Sequence, residues 1–257
     1  MFFKNRLTEK RILSELKNKC FNVISKSTVT STNTVLKELA AKGAKGNTVI
    51  VASKQTAGRG RLGRTFYSPG STGIYMSILI RPGKEVNPLH ITTDAAVCCA
   101  RVIERMCGEK AHIKWVNDIY VRGRKVCGIL TESSFDNEAY AVLGIGVNVF
   151  QPKKGFPDEI QDRAGALFEK KEKHLREKVI SGILDEFYGI SHSSDHKEIL
   201  EEYKKRSIVL GKEITVLRNG TEEKATAVSV GDDYSLLVCM ADGREEKLTS
   251  GDVSIKI

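Results

Sequence analysis

The chain has 257 residues, of which 40% are hydrophobic, 28% charged and 7% aromatic, which is ordinary usage for a packed protein and unlike a disordered, fibrous or membrane-embedded one. At roughly 100–200 residues per domain, this length supports one or two domains. Lys and Arg number 41 against 32 Asp and Glu, and the formal charge of +9 favours an anionic partner (phosphate, nucleic acid or acidic protein) without specifying the chemistry.

Residues 1–30 read as a basic N-terminal arm, with seven bases against two acids. Within it, Leu7 to Leu16 has the apolar spacing of one short amphipathic helix, with Thr8 as N-cap. The Met1–Arg11 start lacks a secretory apolar stretch, and no run approaches the ~18 apolar residues of a membrane helix, so a cytoplasmic location is expected. Val35, Leu36, Leu39 and Ala40 place a second helix over Asn33–Ala41, capped by the hydroxyl of Ser31 or Thr32 and closed near Gly43. The β-branched run Thr48–Ser53 and the run Gly73–Ile80 read as buried strands. Between them, Gln55–Gly70 is too polar and glycine-rich to pack, and so long a loop in a compact domain points to function. Thr92–Met106 reads as an apolar helix, followed by strands at Ala111–Trp115, Ile119–Val121, Val126–Glu132 and Ala139–Val149, with Arg122–Lys125 as a hairpin connection. Helices are expected from about Arg163 to Tyr188 and from Asp195 to Arg206. From Ser207 the pattern changes to short strands at Ile208–Leu210, Glu213–Leu217, Ala225–Val230, Ser235–Met240 and Val253–Ile255. Turns at Asn219-Gly220, Gly231–Asp233 and Asp242-Gly243 separate them, the pattern of a small barrel-like β domain.

The six cysteines show no C-x-x-C spacing and mostly sit in apolar runs, as free thiols in a reducing compartment do. His192 and His196 have the spacing of one helical face, but no further Cys or His completes a zinc pattern, so no structural metal is expected.

Gly58-Arg-Gly-Arg-Leu-Gly63 matches the dinucleotide fingerprint G-x-G-x-x-G, yet that motif needs a helix opening at its last glycine, and here Arg64-Thr-Phe-Tyr-Ser-Pro-Gly leads into a strand. What the loop does offer is Arg59, Arg61 and Arg64 among glycines that let backbone approach an anion; guanidinium groups hold phosphate and carboxylate oxygens bidentately. On the loop alone, a solvated basic turn and a nucleic-acid surface with Phe66 and Tyr67 stacking on bases stay open. Ser31-Thr-Asn33, Lys114-Trp-Val-Asn-Asp118, and Lys125–Glu132 with Gly144-Ile-Gly-Val-Asn148 are each weak by themselves: Asn117-Asp118 can merely cap a hairpin, and Trp115 can be plain core.

In order along the chain, Ser31-Thr-Asn33, Gln55–Arg64, Lys114-Trp-Val-Asn-Asp118, Lys125-Val-Cys-Gly-Ile-Leu130 and Gly146-Val-Asn148 closely resemble the signature set of biotin protein ligases. The resemblance runs from about Thr30 to the C-terminus. It implies an α+β fold, a mixed sheet flanked by helices like the class II aminoacyl-tRNA synthetases, with a catalytic domain over 31–206 and an SH3-like C-terminal domain over 207–257. It also implies an ATP-dependent activity: biotin and ATP form biotinyl-5'-AMP, and biotin then passes to one lysine of a biotin carboxyl carrier domain, as in biotin--[acetyl-CoA-carboxylase] ligases.

By the same resemblance, Ser31, Thr32, Asn33 and Gln55 meet the biotin head group, whose cyclic urea offers donors and an acceptor, with Gly128, Ile129 and Gly144 walling its apolar body. Arg59, Gly60 and Arg61 match the loop that orders over the activated intermediate, and Arg64 its nucleotide side. Lys125 falls between the biotin carboxylate and the α-phosphate, where an ammonium offsets the repulsion of two approaching anions. Phe66 and Asn148 lie on the adenine side. Asn117 and Asp118 belong to the tryptophan motif, Asp118 either near Mg²⁺ or positioning Lys125. Magnesium is expected with ATP as counter-charge to the leaving group.

Val116 stands where the family usually has proline, which is expected to relax the backbone before Asn117. About thirty residues precede Ser31, with one helix among them, too little for the helix-turn-helix domain of bifunctional ligase–repressors, so sequence-specific DNA binding is not expected. A homodimer through the sheet edge would follow single-function relatives. Two rivals remain: a lipoate or octanoate ligase or transferase of the same fold, and a noncatalytic nucleic-acid-binding protein.

Overall fold

The computed structural model describes residues 7–81, 87–134, 139–193, 195–218, 221–249 and 252–255. Its centre is a seven-stranded mixed sheet of β1 (Asn22–Lys26), β2 (Thr48–Ala52), β3 (Gly73–Ile80), β4 (His112–Lys114), β5 (Asp118–Val121), β6 (Arg124–Ser134) and β7 (Tyr140–Asn148), in the order β1-β2-β3-β7-β6-β5-β4. β1 and β2 pair in parallel and the other neighbours antiparallel.

β2 and β3 are apolar along nearly their whole length because both faces of the sheet are covered. Successive strand residues point to opposite faces, so Val49 and Val51 join the large core under α3 (Pro88–Cys107) and α4 (Leu175–Ser191), while Ile50 packs with Leu36 and Ala40 of α2 (Thr32–Ala41) on the other side. α3 begins a turn earlier than the apolar pattern predicts: Asn87 caps it, accepting the N–H groups of Leu89 and His90 at 3.0 and 3.2 Å, and Pro88 occupies the first turn. α2 ends as expected, with Gly43 at φ +83°.

Residues 7–26 do not project as an arm. α1 (Glu9–Glu15) buries Ile12 together with Leu7 and Leu16, and β1 extends the sheet. Asp185 of α4 accepts the N–H groups of Lys17 and Asn18 at 3.0 and 2.9 Å, and Ser181 donates its hydroxyl to the Ile12 carbonyl at 3.0 Å. The apolar stripe of α1 thus finds the core, and the hydroxyl of Thr8 makes no cap bond. Residues 1–6 lie outside the described residues.

The helix expected from Arg163 begins only at Leu175, after His174 at φ +67°. The intervening segment instead pairs with the edge of β6: Lys125 N–H donates to the Arg163 carbonyl at 2.7 Å, and Gly165 N–H to the Lys125 carbonyl at 2.9 Å. A Cβ at Gly165 would stand 2.7 Å from the Cβ of Arg124, so the close approach requires glycine.

α5 (His196–Arg206) leads into a five-stranded antiparallel sheet of β8 (Glu213–Arg218), β9 (Thr221–Val230), β10 (Leu236–Met240), β11 (Glu245–Leu248) and β12 (Asp252–Ser254), ordered β11-β10-β9-β8-β12. Ile208–Leu210 is not a strand; Ile208 N–H donates to the Ile113 carbonyl at the end of the larger sheet. The Asn219-Gly220 turn lies outside the described residues. The two sheets share one apolar core; Trp115 Nε1–H donates to the Tyr234 carbonyl at 3.2 Å between them, and Tyr203 of α5 donates its O–H to the Val116 carbonyl at 3.1 Å. The Trp115–Val116 peptide bond is cis, although residue 116 is valine and not proline. The six cysteines are free thiols, and among the described residues no helix is long and apolar enough to cross a membrane.

Candidate active site

One cavity, over β6 and β7 and under the 55–70 loop, is lined by every site residue singled out from the sequence. Its polar end is the start of α2. Ser31, Thr32 and Asn33 are buried, and Ser31 occupies the cap position without making a side-chain cap bond. Gln55 does that work from the neighbouring loop: its Oε1 accepts Thr32 N–H at 2.8 Å, while its Nε2 donates to Ser68 Oγ at 2.9 Å.

Asn33 is clamped at both ends of its amide. Ser77 of β3 donates to Asn33 Oδ1 at 2.6 Å and stands 2.7 Å from Thr32 Oγ1, and Asn33 Nδ2 donates to Glu132 Oε2 at 2.8 Å. Glu132 also meets Lys37 Nζ at 2.6 Å and Arg59 at 3.3 Å. Burial pushes its carboxyl up, but the hydrogen bonds from Lys37 and Asn33 and the charges of Lys37 and Arg59 outweigh that and hold it below the usual carboxylate range. Opposite Asn33 lies Gly144, where a Cβ would overlap Asn33 Oδ1 and stand 2.9 and 3.0 Å from its Cγ and Nδ2.

The floor is equally dependent on missing side chains. Gly128 of β6 pairs with Gly146 of β7, and the ring of Phe66 lies on both: a Cβ at Gly146 would stand 2.5 Å from that ring, one at Gly128 3.2 Å. Tyr75 meets the Phe66 ring edge to face at 6.4 Å. The arginine loop folds back on itself through Phe66 N–H to the Gly58 carbonyl at 3.0 Å and Gly60 N–H to the Arg64 carbonyl at 2.7 Å, leaving Leu62 67% exposed at its tip. Arg59 turns to Glu132, Arg61 Nη1 donates to Asn117 Oδ1 at 3.3 Å, and Arg64 lines the cavity from an exposed position.

Across from the loop, Lys125 Nζ lies 2.6 Å from Asp118 Oδ1, joining the starts of β5 and β6. Asn117 is pinned by Nδ2–H to the Ile129 carbonyl at 2.7 Å, and Asn148 closes β7 opposite Gly73. Among the described lining residues, Arg59, Arg61, Arg64, Lys114, Lys125 and Arg163 face one carboxylate, Asp118. Such a cavity suits a ligand with at least two anionic groups and, at its Asn33 end, a compact polar head.

Sequence reasoning missed several contributors. Ser77 was visible as a lone hydroxyl in an apolar strand. Glu132 and Lys37 become neighbours of Asn33 only through the packing of α2 on β6, and Phe156, Ile160 and Arg163 reach the cavity through a segment that the sequence pattern leaves unmarked or helical.

Comparison with known proteins is consistent across sequence and structure. Residues 24–148 match the biotin/lipoate A/B protein ligase family. The bifunctional ligase/repressor BirA of Bacillus spizizenii is 38% identical over 185 residues, 70% of this chain and 57% of that protein, so the chain spans little more than half the length of that relative. The biotin--[acetyl-CoA-carboxylase] ligase of Mycobacterium tuberculosis is 30% identical over 233 residues, 87% of this chain and 85% of its own. In structure, the Aquifex aeolicus biotin protein ligase solved in complex with biotin and ATP superposes with a TM-score of 0.75 at 29% identity, covering 91% of this chain and 97% of that one.

Proposed function

The chain belongs to the biotin protein ligase family, and from that premise we propose that it is an ATP-dependent biotin protein ligase, forming biotinyl-5'-AMP and pyrophosphate from biotin and ATP and then transferring biotin to a lysine of a carboxylase carrier domain. The observation that carries this reading is the single cavity that joins the clamped Asn33 end, the arginine loop and the Lys125–Asp118 pair.

In this assignment the cyclic urea of biotin meets Ser31, Thr32, Asn33, Gln55 and Arg59, and its apolar body lies along Gly128 and the strands beside it. The carboxylate then points to Lys125, where its oxygen attacks the α-phosphorus, the bond to pyrophosphate breaks and the acyl phosphate forms. Two anions approach each other in this step, so a fixed ammonium lowers the barrier; removing one preorganised donor of this kind costs about 3–4 kcal/mol. Asp118, 2.6 Å from Lys125, holds that ammonium aimed. Arg61, Arg64, Phe66, Asn117 and Asn148 face the nucleotide. Gly60 lets the loop backbone close over the adenylate and exclude water from an anhydride that otherwise hydrolyses. In the second step, the carrier's lysine amine attacks the acyl carbon and AMP leaves.

Magnesium enters as the complex with ATP. Asp118 is the one lining carboxylate among the described residues and is already paired with Lys125, a donor set too small for a resident ion, so the triphosphate supplies the remaining ligands. Residues 7–206 form the catalytic unit in this proposal, with 207–257 as the smaller β domain docked on it. The +9 charge of this chain would steer a carrier that presents an acidic face.

The direct test is incubation with biotin, MgATP and a carrier domain, read by intact-mass spectrometry. The proposal expects one biotinyl group per carrier, at one lysine, dependent on ATP. Transfer of lipoate or octanoate in its place would reassign the chain to the other acyl ligases of this fold.

A further inference from the structure

Away from the cavity, His90 and Asp94 occupy successive turns of α3, and His196 opens α5. Sequence separation hides the cluster, yet one ligand atom from each residue lies within 4.8 Å of the others. The His90 and His196 rings are 4.8 Å apart edge to face, His90 Nε2 stands 3.5 Å from Asp94 Oδ2, and the other face of the His90 ring lies against Tyr234 at 4.8 Å. Tyr234 in turn donates its hydroxyl to Asp94 Oδ1 at 3.4 Å.

Two features set this group apart from an incidental surface cluster. His90 Nε2 is buried and makes no hydrogen bond, an orphan of the kind a folded chain rarely tolerates unless something else satisfies it. Asp94 is only 7% exposed, and His90 and Tyr234 are its side-chain partners; a buried carboxylate is ordinarily either paired with a cation or bound to a metal. Two imidazoles and one carboxylate are a common zinc donor set. At metal–ligand lengths of about 2.0–2.2 Å, tetrahedral donors sit roughly 3.3–3.6 Å apart. The His90–Asp94 separation already meets that spacing, and exposed His196 needs only a rotamer adjustment to complete it.

We propose that His90, Asp94 and His196 form a Zn²⁺ site, with water as fourth ligand, that ties α3 and α5 together beside the C-terminal sheet. The link to that sheet is Tyr234, which touches both His90 and Asp94 and whose carbonyl accepts Trp115 Nε1–H. Trp115 lies two residues before Asn117, so the ion would stiffen the platform on which the Asn117-Asp118 turn rests. None of the three ligands lines the catalytic cavity, so this is a site separate from the ATP-associated ion.

The test uses the full chain freed of metal by chelation and titrated with Co²⁺, whose tetrahedral complexes absorb in the visible, and with Zn²⁺ by calorimetry. The proposal expects one ion per chain, a rise in the thermal unfolding midpoint on adding Zn²⁺, and at least a hundredfold weaker binding in both Asp94→Asn and exposed His196→Ala. His192→Ala should bind as the wild type does, since His192 stacks on Tyr188 at 4.1 Å instead of joining the cluster. No binding by the wild type, undiminished binding in His196→Ala, or loss of binding in His192→Ala would each overturn it.

Discussion

Replacing Gly144 with alanine adds a single methyl group where the structure has no room for one. The new Cβ would overlap Asn33 Oδ1 and stand 2.9 and 3.0 Å from the rest of the amide. Asn33 has nowhere to go, because Ser77 holds its oxygen at 2.6 Å and Glu132 its nitrogen at 2.8 Å. Overpacking of this kind costs about 1–3 kcal/mol, and losing the hydrogen bond to a charged carboxylate about 1.5–3 kcal/mol. Since the two losses are alternatives as much as a sum, Gly144→Ala should lower unfolding free energy by about 2–4 kcal/mol. Displacing Asn33 should also raise the KM for biotin roughly 10–100-fold, one or two head-group hydrogen bonds, with the KM for ATP little changed. The double variant Asn33→Ala/Gly144→Ala isolates the cause. Alanine at 33 has no amide to collide with, so the double variant should be about as stable as Asn33→Ala alone, a coupling of 1 kcal/mol or more by urea denaturation. Additive destabilisation, or a Gly144→Ala protein with wild-type stability and biotin KM, would refute the clash.

Other predictions follow from the same geometry. Glu132 has a carboxyl held below its ordinary value, so it stabilises the fold above the unfolded-state pKa of about 4.3, and that contribution disappears as pH falls through the folded-state value. The stability difference between wild type and Glu132→Gln, measured by urea denaturation across pH, should therefore be full at pH 7 and vanish at strongly acidic pH; a constant difference would contradict the assignment. Asp118→Asn should lower kcat for adenylation at least tenfold with a small change in biotin KM, because it loosens Lys125 without removing it; a pure KM effect would place Asp118 on the substrate. Arg61→Gly, which removes the contact from the loop to Asn117, should release the activated intermediate early and biotinylate bystander lysines in a mixed protein sample, whereas unchanged selectivity would count against loop closure.

What could be read from the sequence was whatever announces itself locally. The Gln55–Gly70 loop was too polar and glycine-rich to read as a packed element, and Gln55, Arg59, Gly60, Arg61, Arg64 and Phe66 within it reach the cavity. β1 escaped notice because Asn22-Val-Ile-Ser-Lys26 is short, half-exposed and polar at both ends, as an edge strand is; β11, Glu245-Glu-Lys-Leu248, escaped because three of its four residues are charged and only Leu248 is buried. The helical reading from Arg163 failed because its backbone groups pair with Lys125, a partner nearly forty residues away that no local pattern reveals. Ser31 looked like a helix cap, and it occupies that position, but the capping bond comes from Gln55 across a loop. Glu132 illustrates the general limit: its charge was plain, but its role depends on strand register and on α2 packing above it, which are properties of the assembled fold.

The measurement that tests the central claim most directly is ATP–pyrophosphate exchange by the purified chain with magnesium, comparing biotin, lipoate and octanoate at matched concentrations in wild type and Lys125→Ala. The account predicts exchange with biotin alone, reduced about 100- to 1,000-fold in Lys125→Ala by loss of one transition-state donor. Exchange supported equally by lipoate, full activity without Lys125, or no exchange with any of the three by folded protein would contradict it.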